Sequence, residues 1–338
     1  MGNINDYCIA TLGSHTALQI LKGAHDEGFK TICICEKGSE RPYKSYKVAD
    51  EIISIDSFKD YFKIEPQLVK KNEILIPHGS FVAHVGASKA KDIKAMHYGA
   101  RGILEHEADR GKQRQWLVDA GIKVPKIIKK PEDIDRTVII KFHGAKGGQG
   151  YFLANNEKEF KQRIKEFPDN DGFAIQEYIV GVPVYTHYFY SKLTGELEIM
   201  GFDKRYESNA DSIGRIAAKD QVEANIHTTY TIVGNTPLVV RESLLTNMFE
   251  MGDKVVEQSK KLVDGGFFGP FCLEGVIDPE LNYYVFEISA RIVAGTNPYI
   301  NGSPYTTLRY NEPMSTGRRL ARDIKQAIEQ DKIEKVLG

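Results

Sequence analysis

Two carboxylates, Glu274 and Glu287, fall on what the sequence predicts to be a single β-hairpin. Residues 271–278 read as a strand, Pro279-Glu280-Leu281-Asn282 as a turn, and residues 283–289 as the returning strand. A turn centred on Glu280-Leu281 pairs Asp278 with Tyr283 and, counting back, Glu274 with Glu287. Side chains opposed in this way have Cβ atoms about 5 Å apart, where like charges are destabilising. A divalent cation turns the repulsion into a ligand set, because hard cations such as Mg²⁺ take carboxylate oxygens together with substrate phosphates. The alternative is a solvated pair, since a one-residue slip would send one strand's side chains to the other face. The cation reading requires a phosphate-bearing substrate elsewhere in the chain.

A loop suited to phosphate lies upstream. His143-Gly144-Ala145-Lys146-Gly147-Gly148-Gln149-Gly150 joins two apolar strands, residues 137–141 and 151–154. Its glycines let the backbone approach an anion closely, and Lys141 and Lys146 supply charge. The Walker pattern is missing, so a plain flexible hairpin loop stays open as the alternative.

These residues need a scaffold. The first hundred residues alternate strand (7–12, 31–35, 73–77) and helix (16–27, and one starting near 81), which implies parallel pairing with right-handed crossovers. Ligands then collect outside the carboxyl ends of the strands, which selects Gly13-Ser14-His15 and His78-Gly79-Ser80. His15 and Ser80 are thus candidate substrate residues, with Ser14 as a helix N-cap and His15 as a solvated helix start the alternatives. A charged helix over 107–120 leads into a second unit, strands 173–178 and 186–190 follow, and helices are expected over 248–264 and 316–329.

Composition narrows the class. At 338 residues, two or three domains are expected. Lys plus Arg (45) nearly equals Asp plus Glu (46), so no basic field points to nucleic acid. Neither a signal peptide nor an apolar run of membrane-spanning length is evident. Cys8, Cys33, Cys35 and Cys272 sit in apolar strand-like stretches, which suits buried thiols rather than zinc. A cytoplasmic protein is expected.

The order of lysine strand, glycine-rich loop, Gln176-Glu177-Tyr178, Glu274 and Glu287-Ile288-Ser289-Ala290-Arg291 resembles the ATP-grasp superfamily. Its usual ending is Glu-x-Asn-x-Arg, and Ser289 stands here in place of the Asn. Further segments make the whole chain resemble one branch, the archaeal formate-dependent PurP family. They are Gly13–Leu18, Pro77–Phe81, Lys141–Gly148, Asp203-Lys204-Arg205-Tyr206-Glu207, Gly234-Asn235-Thr236-Pro237 and Phe286–Asn297. The resemblance implies an α/β fold, α+β in the lid. It comprises a substrate-binding unit over 1–105, a glycine-loop lid over 106–190 and a metal-binding C-terminal unit over 191–338. It also implies a ligase that uses ATP and formate to formylate 5-aminoimidazole-4-carboxamide ribotide (AICAR) through formyl phosphate, without folate. ATP and Mg²⁺ (or Mn²⁺) are then required, the partners are these small molecules, and the chain is a homo-oligomer.

By the same resemblance Glu274 and Glu287 hold the metal. Lys141, Lys146, Glu177, Tyr178, Ile179 and Glu207 contact ATP, and His15, Ser80 and Asn235 contact the ribotide. Arg291 meets a phosphate or the formyl oxygens, with an ion pair as its alternative. Two rival functions remain: another ATP-grasp ligase joining a different carboxylate and amine, and a non-catalytic nucleotide sensor.

Overall fold

The structure, a computed structural model, describes residues 2–142, 151–167, 172–224, 226, 229 and 231–338. Strands β1 (Cys8–Leu12), β2 (Lys30–Glu36), β3 (Glu51–Ile55), β4 (Glu73–Leu75) and β5 (Met96–His97) form a sheet in the order β3-β2-β1-β4-β5, and every pair is parallel. β1 is buried along its whole length, as expected of a central strand covered on both faces. Strand order reverses at β1, so the loops after β1 and β4 flank the switch point.

The Ala17–Asp26 helix covers this sheet and packs against the Thr316–Glu329 helix. A Cβ on Gly23 would lie 2.2 Å from the Arg318 backbone nitrogen, and one on Gly317 would lie 2.3 Å from the Gln19 carbonyl oxygen. The two helices therefore approach backbone to backbone, which larger side chains would prevent.

β4 opens on a buried carboxyl group. Glu73 is 1% exposed, and neither carboxyl oxygen has a hydrogen-bond partner among the described residues. Burial, then the nearby Glu65, raises its pKa to about 8. The folded state thus keeps a proton that the unfolded chain releases in the ordinary carboxylate range, so stability is highest below that range and declines as pH rises through about 8. Glu73→Gln is expected to gain roughly 2–4 kcal/mol over the parent at pH 9 and almost nothing at pH 4. Urea unfolding at both values tests this, and an equal gain at each would contradict it.

A smaller antiparallel sheet, order β6-β9-β7-β8, comprises β6 (Ile127–Ile128), β7 (Val138–Phe142), β8 (Tyr151–Ala154) and β9 (Phe173–Glu177). It packs on the Glu157–Arg163 helix around Val138, Ile140, Phe152, Phe160 and Ile175. The glycine-rich loop and Lys146 lie outside the described residues.

The third sheet, order β12-β11-β10-β13-β14, is antiparallel: β10 (Val182–Ser191), β11 (Glu196–Glu207), β12 (Ile232–Leu238), β13 (Gly269–Ile277) and β14 (Tyr283–Ser289). β10 pairs with both β11 and β13, so this sheet begins before residue 191. Tyr188 on one face donates to the Met248 carbonyl of the Glu242–Ser259 helix at 2.8 Å, while Tyr185 and His187 alternate onto the other face. After β14 an isolated parallel bridge pairs Ile292 with His78, tying this sheet to the switch-point loops of the first.

Two helix expectations shift. The helix expected over 107–120 is two, Ile103–Ala108 and Arg110–Asp119, because Asp109 is extended and its carboxylate accepts the Gly111 and Lys112 N–H groups at 2.9 Å. The helix expected over 248–264 spans Glu242–Ser259. The Ser259 hydroxyl accepts the Phe267 N–H at 2.8 Å as the chain turns back through the positive-φ pair Gly265-Gly266. Among the described residues no helix is long and apolar enough to cross a membrane, and all four cysteines are free and buried.

Candidate active site

The polar face of the third sheet forms the floor of a cleft of about 130 Å³. Register puts its side chains together: Asp203, Tyr185, Glu274 and Glu287 lie across four neighbouring strands, with His187, Cys272 and Ser289 one step along and Arg205 opposite Asn235. His15, Arg291, Val293, Ala294 and Gly295 close over it. Of the residues the sequence selects, His15, Asn235, Glu274, Glu287 and Arg291 therefore share one cavity.

Glu274 and Glu287 are paired, though by a different route from the one expected. Ile277, not Asp278, is opposite Tyr283, because the turn runs from Asp278 to Asn282 with Leu281 left-handed at φ 65°. A register shift between Glu274 and Gly275, where Phe286 is the extra residue, restores the pairing of the glutamates. Asn282 N–H donates to the Asp278 carboxylate at 2.8 Å and fixes the turn.

The electrostatics follow from this pairing. The Glu274 charge first, then loss of solvent, pushes the Glu287 carboxyl up to about 7. Glu287 retains exposed surface and lines the cleft, where protein charges crowd it. Two oxygen donors repelling each other at close range suit a divalent cation. Among the described residues no cluster of three His, Cys, Asp or Glu supplies an all-protein cage. Such a site matches Mg²⁺, which is commonly held by one or two carboxylates plus substrate phosphates. Ser289, standing at the usual Asn position, donates to Glu274 Oε1 at 3.2 Å and orients the carboxylate.

Arg205 was not selected from sequence, yet it occupies the centre of the floor. Its guanidinium pairs with Glu274 and lies 4.4 Å from the Tyr185 ring centroid. Glu274, Tyr185 and Glu287 hold it firmly protonated against the cost of burial. Tyr185-x-His187 and Asp203-x-Arg205, each at period two, were the signal that could have placed each pair on one face of its own strand.

Arg291 makes an ion pair and also lines the cleft. Its Nη2 pairs at 3.0 Å with Glu107, a buried carboxylate that also accepts the Ala290 N–H at 2.8 Å, and the residue lines the cleft. Its Nε is buried without a partner among the described residues. Gln113 clamps the same region, donating to the Glu107 and Ile288 carbonyls at 3.1 and 2.9 Å.

The two switch-point loops touch. Ser80 Oγ donates to Ser14 Oγ at 3.0 Å, and the His15 and His78 rings stack 5.4 Å apart at 4°. Ser14 is not an N-cap, since the helix starts at Ala17 and Thr16 precedes it. His15 is left-handed at φ 54°, and a Cβ on Gly79 would lie 2.8 Å from its Nε2. His78 Nδ1 accepts the Ser80 N–H at 3.2 Å, so its Nε2 carries the proton donated to the Leu12 carbonyl at 2.8 Å. Loss of solvent pushes both histidines down, His78 to about 4; for His15, His78 and the two arginines add to the effect. His15 keeps exposed surface and lines the cleft.

The nucleotide candidates are more dispersed. Lys141 is half-buried, 5.7 Å from the Phe286 ring centroid, and donates to Gln176 Oε1 at 3.4 Å. Burial, then Arg110, lowers its pKa, while Glu287 opposes the shift. Glu177 has both oxygens occupied, one by Arg136 at 2.8 Å and one by the Lys126 N–H at 3.1 Å, so its carboxylate serves the small sheet. Tyr178 and Ile179 follow at the strand end, with the Tyr178 N–H on the Thr137 carbonyl at 3.0 Å. Glu207 ends β11, two residues past Arg205, with its backbone N–H on Asp211 and its carboxyl raised by burial.

Comparison with known proteins bears on this cleft. Family models described as a domain of unknown function (DUF1297) and a protein of unknown function (DUF1246) match residues 152–338 and 9–128. The chain is 52% identical to the 5-formaminoimidazole-4-carboxamide-1-(beta)-D-ribofuranosyl 5'-monophosphate synthetase of Pyrococcus abyssi, with 98% of each chain covered. It is 48% identical to the enzyme of the same name from Methanocaldococcus jannaschii, covering 99% of this chain and 96% of the relative. The crystal structure of PurP, an IMP biosynthesis protein from Thermococcus kodakaraensis, superposes with a TM-score of 0.77 at 27% identity, covering 98% of this chain and all of the other. A Staphylococcus aureus N5-carboxyaminoimidazole synthetase complexed with ADP shares the fold, with a TM-score of 0.64 at 18% identity over 92% of this chain and 75% of its own.

Proposed function

The chain belongs to the family of 5-formaminoimidazole-4-carboxamide ribotide synthetases, and we propose that the cleft on its third sheet is where it runs that family's chemistry. The fold is ATP-grasp, and the enzyme is a C–N bond-forming ligase of IMP biosynthesis that makes the formylated ribotide from AICAR. The observation that carries the placement is the convergence of the carboxylate pair, two arginines and the switch-point His15 on one cavity.

The chemistry divides into two steps. The γ-phosphoryl group of ATP passes to a formate oxygen and ADP leaves. The 5-amino nitrogen then attacks the formyl carbon, the phosphate departs with the C–O bond electrons, and the nitrogen loses one proton. Glu274 and Glu287 would hold Mg²⁺, which would neutralise charge on the transferring phosphoryl group. Lys141, beside this pair, faces the ATP phosphates, with Lys146 in the same role from the glycine-rich loop. Glu207 and the backbone at Glu177, Tyr178 and Ile179 flank the nucleotide. His15 and Ser80, held together across the two loops, take the ribotide, with Asn235 opposite. Arg291 steers the anion at the reacting centre while Glu107 fixes its orientation. The lid, which ends before β10 because β10 pairs within the third sheet, would exclude water from formyl phosphate.

ADP release from ATP in the presence of AICAR and Mg²⁺ is expected to depend on formate and to need no folate. Release that is absent, or equal without formate, would remove this reading in favour of another ligase. His15→Ala should raise the ribotide KM with little change in kcat; the reverse split would place His15 in the chemistry.

A further inference from the structure

Behind Asn235 lies a buried pair to which no role has been given. Asp203, 1% exposed, sits between two donors: His187 Nε2 is 2.7 Å from its Oδ1, and Asn235 Nδ2 is 2.7 Å from its Oδ2. An ionised carboxylate only accepts, so both neighbours must turn an N–H toward it. Asn235 therefore has no choice of amide orientation. Its nitrogen gives one hydrogen to Asp203, which fixes Oδ1 as the acceptor of a side chain that lines the cleft.

The surroundings keep the arrangement fixed. A Cβ on Gly295 would lie 2.2 Å from Asp203 Oδ1 and 2.6 Å from His187 Cε1. The turn above thus presses backbone onto the pair, and Asn235 is the end of the chain that meets a ligand. Arg205, the cross-strand neighbour of Asn235, spends its charge on Glu274 and stacks on Tyr185, so it offers no free cation at this spot. The cleft is therefore divided, with cations toward the glutamate pair and a neutral acceptor backed by a buried negative charge toward Asn235.

We infer that His187 and Asp203 are positioning residues which lock Asn235 as a hydrogen-bond acceptor, making this a subsite for a neutral N–H donor and against a carboxylate. Resting on the proposed function, this assigns the subsite the choice between a 4-carboxamide and a 4-carboxylate on the imidazole ribotide. A carboxylate there would set lone pairs against Asn235 Oδ1 and add charge close to Asp203. Sites built around one hydrogen-bonding pattern reject a substrate lacking it by large factors.

The test compares kcat/KM for AICAR with that for the same ribotide carrying a 4-carboxylate, using the full chain with ATP, formate and Mg²⁺. The parent enzyme should favour the carboxamide by at least about a hundredfold. Asp203→Asn frees Asn235 to turn its amide, and should cut that preference at least about tenfold, mainly through the KM for AICAR. His187→Gln keeps an N–H for Asp203 and should retain the preference, whereas His187→Phe should lose it. If Asp203→Asn does not fold, the two His187 variants carry the same comparison. An active parent without discrimination, a folded Asp203→Asn with the parent ratio, or His187→Phe matching His187→Gln would each overturn the inference. A parent inactive on both ribotides would instead remove the function on which it rests.

Discussion

Glu287→Ala is expected to lower turnover by about a thousandfold or more while leaving ribotide affinity within a few-fold of the parent. The two members of the pair differ in what else they hold. Glu274 is 2% exposed, bound by Arg205 and by Ser289, so its removal strands a buried guanidinium and mixes lost chemistry with lost structure. Glu287 lies at the cleft surface, and its main neighbour is the repelling Glu274. Deleting it relieves repulsion within the protein, so Glu287→Ala should fold at least as stably as the parent. A stable protein that has lost turnover, with ribotide binding intact by calorimetry, isolates the metal-ligand role. Glu287→Asp, which shortens the reach, should shift half-maximal activity to a Mg²⁺ concentration about tenfold or more higher. Unchanged turnover in Glu287→Ala would refute the assignment.

The hairpin also shows what can be read from sequence alone. Period-two alternation and turn composition located both strands and opposed the correct glutamates, although the counting behind it was one residue out at the turn. A bulge cancelled the error, and bulges have no composition signal of their own. In the first sheet, apolar β1 and β2 stood out, whereas β3 (Glu51–Ile55) begins on an exposed Glu and was not found. The rule that ligands gather at the carboxyl ends of parallel strands selected two loops that the structure brings together at the switch point, where the His15 and His78 rings stack. What escaped were residues whose role depends on register between distant strands. Arg205 meets Glu274 only once β10 lies between β11 and β13, and Asp203 meets both His187 and Asn235 only once β11 lies between β10 and β12; no local pattern encodes those adjacencies. The Glu177 carboxylate's engagement with Arg136 was hidden for a related reason: the two lie 41 residues apart, and the sequence does not announce their approach.

Arg291→Lys and Arg291→Ala should separate the two duties that one side chain performs. Glu107 is buried and relies on Arg291 Nη2 together with the Ala290 N–H. Burial already pushes the Glu107 carboxyl up, with Arg291 the chief opposing influence. Removing the guanidinium leaves that carboxylate without its cation, a change of the kind that costs roughly 3–5 kcal/mol. Arg291→Ala should therefore lose stability and turnover together, which by itself does not distinguish a structural pair from a catalytic group. Lysine keeps the positive charge near Glu107 but has no planar fork, so it cannot hold Glu107 on one nitrogen while presenting others to a phosphate or formyl oxygen. Arg291→Lys is expected to stay within about 2 kcal/mol of the parent in stability and to lose about a hundredfold in kcat/KM, mostly in kcat. Denaturant unfolding and steady-state kinetics on the same preparation decide between the two duties. If the lysine variant turns over at the parent rate, Arg291 is an ion pair that braces the end of β14, and the anion at the reacting centre must be met by Arg205, the other guanidinium on the cleft floor.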